Sequence, residues 1–335
     1  MRTRRAFAAA ALALPILLTA CGSGDADPAP AKAAKATESQ SAPALREVSH
    51  DLGTVKVPTK PKAVIALDEV AGLTLLSFGI KPDAVYLASA QPRAQEILTA
   101  NGVELRKIEV GKTPELEALT EDAPDLLVGT GAAGATGQNY KSLSRLAPTV
   151  VLPIEGEWRE IVRRTAGFFG AEEVGKRQIA AAETVLGTAA DAVKGERTLS
   201  LLGNSFGANN FTMPPHVPIS TLIAEAGFTR PAFQQKKVKG YSVPLSEEYL
   251  PEQDAELIVI PRGDFYTPDA LTKNPAFKAT GKVVTPDADV WFGMSGFAFY
   301  ASAHDLHALA SGKGKLSSAD NIQDIWAAYL EATKA

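Results

Sequence analysis

A single cysteine, Cys21, occurs in 335 residues. That excludes an internal disulfide framework and a thiolate metal site, and the rest of the chain has no cysteine nucleophile. Histidine is also scarce, with only His50, His216, His304 and His307. A cleft that grips a bare transition metal needs several histidines and carboxylates converging, and this sequence is poor in them. His304 and His307 share a helix turn without a glutamate beside the first, so a zinc-hydrolase helix is absent. No Gly-x-Ser-x-Gly elbow and no phosphate loop of the Gly-x-x-x-x-Gly-Lys-Ser/Thr type occurs. The net charge is −4, and no basic field points to nucleic acid. Only one long apolar run is present, so no membrane-spanning helix is expected after it.

That run lies at the start. Arg2, Arg4 and Arg5 precede Ala6 to Ala20, an apolar and small stretch broken only by Pro15 and Thr19. It is shorter than the ~20 residues a spanning helix needs and has the layout of an export signal. Leu18-Thr19-Ala20-Cys21 resembles the lipobox of bacterial lipoproteins, which implies cleavage before Cys21 and its lipidation. Without the three leader arginines the charge is about −7. Residues 22 to 44 are rich in Gly, Ala, Pro, Ser, Asp and Lys and lack large apolar side chains. They cannot bury enough surface to offset their ordering entropy, and are expected to form a tether spanning roughly 25–30 Å.

From Leu45 onward the chain has a globular composition, enough for one large domain or two ordinary ones. Short apolar runs alternate with amphipathic ones: 63–67, 84–88, 107–110, 125–129 and 149–152 read as strands with helices between. Residues 171–193 read as one long helix, preceded by an amphipathic segment at 160–169. The alternation then restarts with strands at 198–202, 256–260 and 282–285, short helices at 220–226 and 274–279, and a helix capped by Ser246. Two further helices follow near 301–310 and 319–331. The expected fold is α/β, with two Rossmann-like lobes of mainly parallel sheet joined by one long linker helix and a ligand cleft between them. The expected organisation is a signal peptide at 1–20, a lipid-anchored tether at 21–44, a first lobe at 45–157, a linker region at 158–194 and a second lobe at 195–335.

Several segments resemble the iron–siderophore and vitamin B12 family of ABC-transporter substrate-binding proteins, the helical-backbone class. They are Val57 to Ile65, Leu75 to Pro82, Gly111 to Gly129, Leu146 to Val150, Ser246 to Ile260 and Asn274 to Val284, in family order, within a domain of about 58–335. The resemblance implies a binding protein rather than an enzyme, with no cofactor, that captures a ferric siderophore whose iron is held by the siderophore itself. It implies delivery to a permease driven by a separate cytoplasmic ATPase, by a monomer on the outer face of the cell membrane. It also implies that a surface glutamate on each lobe docks on the permease. Glu117 and Glu248 stand at matching places, although helix-start carboxylates also complement the macrodipole.

Strand-exit loops offer the ligand residues. The first lobe supplies Tyr86, Arg93, Tyr140, Trp158 and Arg159, and the second Phe206, Tyr241, Arg262, Tyr266, Trp291 and Tyr300. Arginine forks match anionic oxygen donors and aromatic faces cover bulky chelates. Each aromatic has packing within its own lobe as the alternative, and Trp326, on the last helix, reads as core. Heme or cobalamin binding within the same family stays open, since tyrosines could serve a heme iron. A lipid-anchored extracellular enzyme also stays open, although no catalytic constellation is visible.

Overall fold

The computed structural model describes residues 44–131 and 134–334. An antiparallel hairpin comes first, β1 (Leu45–His50) on β2 (Gly53–Pro58). The first lobe then runs β3 (Val64–Ala66), α1 (Glu69–Ser77), β4 (Ala84–Leu87), α2 (Pro92–Ala100), β5 (Glu104–Lys107), α3 (Leu116–Glu121), β6 (Leu126–Thr130), α4 (Ala135–Leu146) and β7 (Thr149–Leu152). Its five strands are all parallel, in the order β5-β4-β3-β6-β7. Strands β3, β6 and β7 are almost wholly buried, which is why they appear in the sequence as unbroken apolar runs.

Helices α5 (Trp158–Phe169) and α6 (Glu172–Ala192) connect the lobes. Gly170 ends α5 at φ +63°, the left-handed conformation that glycine adopts without strain. The second lobe runs β8 (Leu199–Ser205), β9 (Asn209–Thr212), α7 (Pro218–Glu225), β10 (Val243–Pro244), β11 (Leu257–Val259), α8 (Pro268–Thr272), β12 (Lys282–Val284), α9 (Ala288–Trp291), α10 (Gly296–Ser311) and α11 (Ile322–Thr333). Its sheet, β10-β9-β8-β11-β12, is mixed: β8, β11 and β12 are parallel, while β9 runs antiparallel to both its neighbours.

Three local expectations change. The strand expected at 107–110 lies three residues earlier, as the polar edge strand β5. The segment after Ser246 winds as a 3-10 helix, Glu247–Gln253, because Pro251 removes a backbone donor from its interior. The helix expected at 274–279 is turn, and the short helix of that region is α8.

One apolar core runs through both lobes. Ala94 and Ile97 of α2, Trp158 and Ile161 of α5, and Ala182 and Leu186 of α6 join it to Leu201, Phe299 and Tyr329. Helix α6 packs along α10, and α11 reaches back to α2.

Candidate ligand cleft

In each sheet the chain leaves the central strand on one side and returns on the other. The reversal lies between β3 and β6 in the first lobe and between β8 and β11 in the second. Ligands of open α/β sheets bind at such switch points, beyond the strands' carboxyl ends. Asp68 occupies the first of them. It caps α1 by accepting from the Ala71 amide at 2.8 Å, and ties the β6 exit by accepting from the amide and hydroxyl of Thr130 at 2.8 and 2.9 Å. Burial pushes its carboxyl up to about 6, against the pull of those bonds. Glu69, wholly buried, accepts from the amides of Ser89 and Gln91 at 2.8 and 3.2 Å and so fixes the loop leaving β4. Within that loop Ala90 sits at φ +48°.

Beside two narrow clefts of about 20 and 10 Å³ between α1 and the α9–α10 turn, two roomier pockets lie where the lobes meet. One, of about 170 Å³, has Ile154, Glu155 and Gly156 on the first-lobe side and His216, Val217, Pro218, Gly240 and Tyr241 on the other. The second, of about 80 Å³, places Ser89, Ala90 and Gln91 opposite Gly263, Asp264, Phe265, Tyr266, Asp289 and Phe292. A shallower basin of about 620 Å³ opens on the first-lobe rim around Glu109, Lys112, Gln138 and Asn139. Small-molecule sites occupy roughly 300–1,000 Å³, so each junction pocket accepts part of a bulky ligand unless the rims part.

The second-lobe wall is aromatic. The Tyr266 and Phe292 rings are 4.9 Å apart, with Phe211 behind them at 6.3 and 5.8 Å. Phe206 stands 73% exposed with its ring 5.1 Å from Phe265, and its backbone is at φ +54°. A bulky side chain held exposed in the left-handed region is a strained arrangement, and such strain clusters at ligand clamps.

A polar latch joins the lobes beside the smaller pocket. Gln91, which precedes α2, gives it no side-chain cap; instead Asp289 of the second lobe accepts from the Arg93 amide at 2.8 Å. The Arg93 guanidinium lies 3.3 Å from Asp287 and 2.6 Å from Glu96. Burial pushes the Asp289 carboxyl up to about 7, with the Arg93 amide working against this and the negative charge of Asp287 adding to it. The folded protein therefore holds this proton more tightly than the unfolded chain, whose aspartates titrate near 3.9. Stability contributed by the protonated form is present at low pH and is lost as pH rises through about 7. Lowering the pH from 8 to 6.5 is expected to raise the unfolding free energy by ~1 kcal/mol more in the wild type than in Asp289→Asn. Paired urea titrations measure this; equal slopes would remove Asp289 as the titrating group. The comparison cancels His50 and His304, both held below their ordinary value by burial.

The sequence-derived candidates separate on this geometry. Tyr241 and Tyr266 line the junction pockets, and Phe206 stands exposed against Phe265 of the smaller one. Burial raises both tyrosine hydroxyls above the ordinary range. Arg262 lies at the β11 exit and is exposed, but its guanidinium turns to Asp269 at 2.9 Å. Four aromatics are core instead. Trp291 is 1% exposed and donates to Asp305 at 2.9 Å; Trp158 is fully buried, its ring 5.9 Å from Phe299. Tyr86 is buried within its strand and contacts Arg106, and Tyr300 is buried beside Tyr329. Each of these four projects into packed helices or the sheet interior rather than the rim.

Arg159 is held by Glu157, Glu183 and, through two bonds of 2.9 Å, Glu225, so it is an ion-pair hub rather than a free fork. Arg93 belongs to the latch. Tyr140 packs edge-on against His50 at 5.2 Å, on the hairpin side of α4. Trp326 is buried as expected. Glu117 on α3 and Glu248 on the 3-10 helix are exposed. Cys21 lies outside the described residues. Sequence reading missed Glu155, His216 and Asp289 as cleft residues, although strand-exit position was a signal for Glu155. Among the described residues no three His, Asp or Glu groups converge to hold a metal, and no helix is long and apolar enough to cross a membrane.

Two α/β lobes joined through helices and a common core, with pockets at their junction, have the architecture of a two-lobed substrate-binding protein. The periplasmic binding protein family matches residues 83–285, and the chain belongs to that family. It is 23% identical over 227 residues to a probable siderophore-binding lipoprotein, YfiY, of Bacillus subtilis, covering 65% of this chain and 69% of the relative. Among solved structures it resembles the petrobactin-binding protein YclQ of Bacillus subtilis, with a TM-score of 0.64, 18% identity, and coverage of 79% of this chain and 99% of that one. It also resembles Staphylococcus aureus SirA complexed with staphyloferrin B, with a TM-score of 0.63, 18% identity, and coverage of 80% and 98%. The fold is thus that of the helical-backbone binding proteins.

Proposed function

We propose that this protein is the lipid-anchored, extracytoplasmic substrate-binding component of an ABC importer, and that it carries a ferric siderophore to the permease for iron uptake. The observation that carries this reading is the junction of the lobes itself, where an aromatic wall of the second lobe stands opposite the β4 exit loop of the first. The naming of the Bacillus subtilis relative as a probable siderophore-binding lipoprotein supports it. Phe206, Tyr241 and Tyr266 are the contact residues, with Arg262 at the rim. The iron is cargo, coordinated by the siderophore. Cys21 carries the anchor, the chain acts as a monomer, and Glu117 and Glu248 meet the permease, whose ATPase is a separate cytoplasmic subunit.

The test uses the whole chain extracted in mild detergent and titrated with ferric siderophores, heme and cobalamin. Saturable one-to-one binding of a ferric siderophore is expected. Binding of heme or cobalamin instead would overturn the ligand, and silence toward all would overturn the transport role. Reversing both docking charges, Glu117→Lys with Glu248→Lys, is expected to stop cellular uptake while leaving that binding unchanged.

A further inference from the structure

The net charge of the chelate can be read from the walls of the junction pockets, given the siderophore reading above. Among the described residues, neither of the two roomier pockets is lined by lysine or arginine, and Arg93 lines only the narrow cleft beside the smaller one. Glu155 lines the larger and Asp264 the smaller; both are exposed, and neither is held in an ion pair among the described residues. The arginines that the sequence places near the cleft are paired with carboxylates: Arg93 with Glu96 at 2.6 Å and Asp287 at 3.3 Å, Arg159 with Glu225 and Arg262 with Asp269.

Ferric chelates differ sharply in charge. Three hydroxamates each lose one proton and together cancel iron(III), giving a neutral complex, or a monocation if the chain keeps a free amine. Three catecholates lose six protons and give a trianion. An anionic ligand is normally met by free arginine forks, and unpaired carboxylates in their place repel it. We propose that this cleft takes a ferric trihydroxamate chelate, neutral or singly positive, and that Glu155 and Asp264 select against anionic chelates. The rings of Tyr266 and Phe292 suit the methylene spacers of such a ligand.

The whole chain in mild detergent would be titrated calorimetrically with ferrioxamine B, a monocation, ferrichrome, which is neutral, and ferric enterobactin, a trianion. At least one hydroxamate is expected to bind about tenfold or more tighter than ferric enterobactin. The double variant Glu155→Lys with Asp264→Lys is expected to weaken ferrioxamine B about tenfold and tighten ferric enterobactin by a similar factor, with ferrichrome moved by less than either. Glu155→Gln with Asp264→Asn should move the two charged ligands the same way by less, which guards against misfolding of the reversed pair. Tighter wild-type binding of ferric enterobactin than of either hydroxamate, or variants that move no affinity, would overturn the charge selection. Failure of all three to bind would instead overturn the siderophore reading beneath it.

Discussion

Replacing Gln234 with alanine is expected to lower the unfolding free energy by about 3 kcal/mol or more, since a hydrogen bond to a charged group contributes about 1.5–3 kcal/mol and a stranded buried amide costs about 1–3. Gln234 is 1% exposed, in the 3-10 turn Ala232–Gln235. Its carbonyl accepts from the Arg230 guanidinium at 2.7 and 3.1 Å and from the Leu201 amide at 3.1 Å. Its amide donates to Ser200 at 2.7 Å and Gln253 at 3.0 Å. Arg230 otherwise donates only to the hydroxyls of Ser220 and Thr212, and among the described residues no carboxylate pairs with it. Burial lowers its proton affinity to about 10, so it still carries its charge at neutral pH. Neutral dipoles alone therefore hold a buried cation, and alanine would strand both it and a strand amide. Urea unfolding measures the loss. The double variant Arg230→Leu with Gln234→Leu should cost less than the single one, because it removes the charge as well. A single-variant loss below ~1 kcal/mol would mean that water reaches the guanidinium.

Trp291→Ala is expected to cost a similar ~3–5 kcal/mol through the cavity it leaves. It also removes the indole donor from Asp305, a buried carboxyl pushed up to about 6 by burial and otherwise satisfied by the amide and hydroxyl of Ser317. Ferrioxamine B affinity of the remaining folded protein should stay within about threefold of wild type. A variant of normal stability with lost affinity would return Trp291 to the cleft, where its strand-exit position first suggested it.

The two tryptophans show where sequence reading runs out. Trp158 and Trp291 both follow strands, as ligand residues do, yet each is claimed by α10: Trp158 by Phe299, far along the chain, and Trp291 by Asp305, on the very next helix. The doubly buried strands were legible because burial on both faces forces continuous apolar runs. The hairpin β1–β2 was not, since charged and polar residues alternate there with few buried ones, Val48 and Val57 among them. Nor were β9 and β10, one polar and the other only two residues long. Of the pocket linings, Tyr241 and Tyr266 were legible from loop position. The carboxylates were not, because nothing local distinguishes Glu155 from any exposed glutamate.

Helix α2 begins in one lobe and is capped by a carboxylate of the other, above a core that neither lobe completes alone. The halves are consequently not interchangeable modules. A chimera that took residues 45–157 from this chain and the remainder from a relative would inherit an uncapped helix and an apolar face shaped for the wrong C-terminal helices. Exchange of binding specificity between such proteins should succeed through the rim loops, where the scaffold is indifferent, and fail through the lobes.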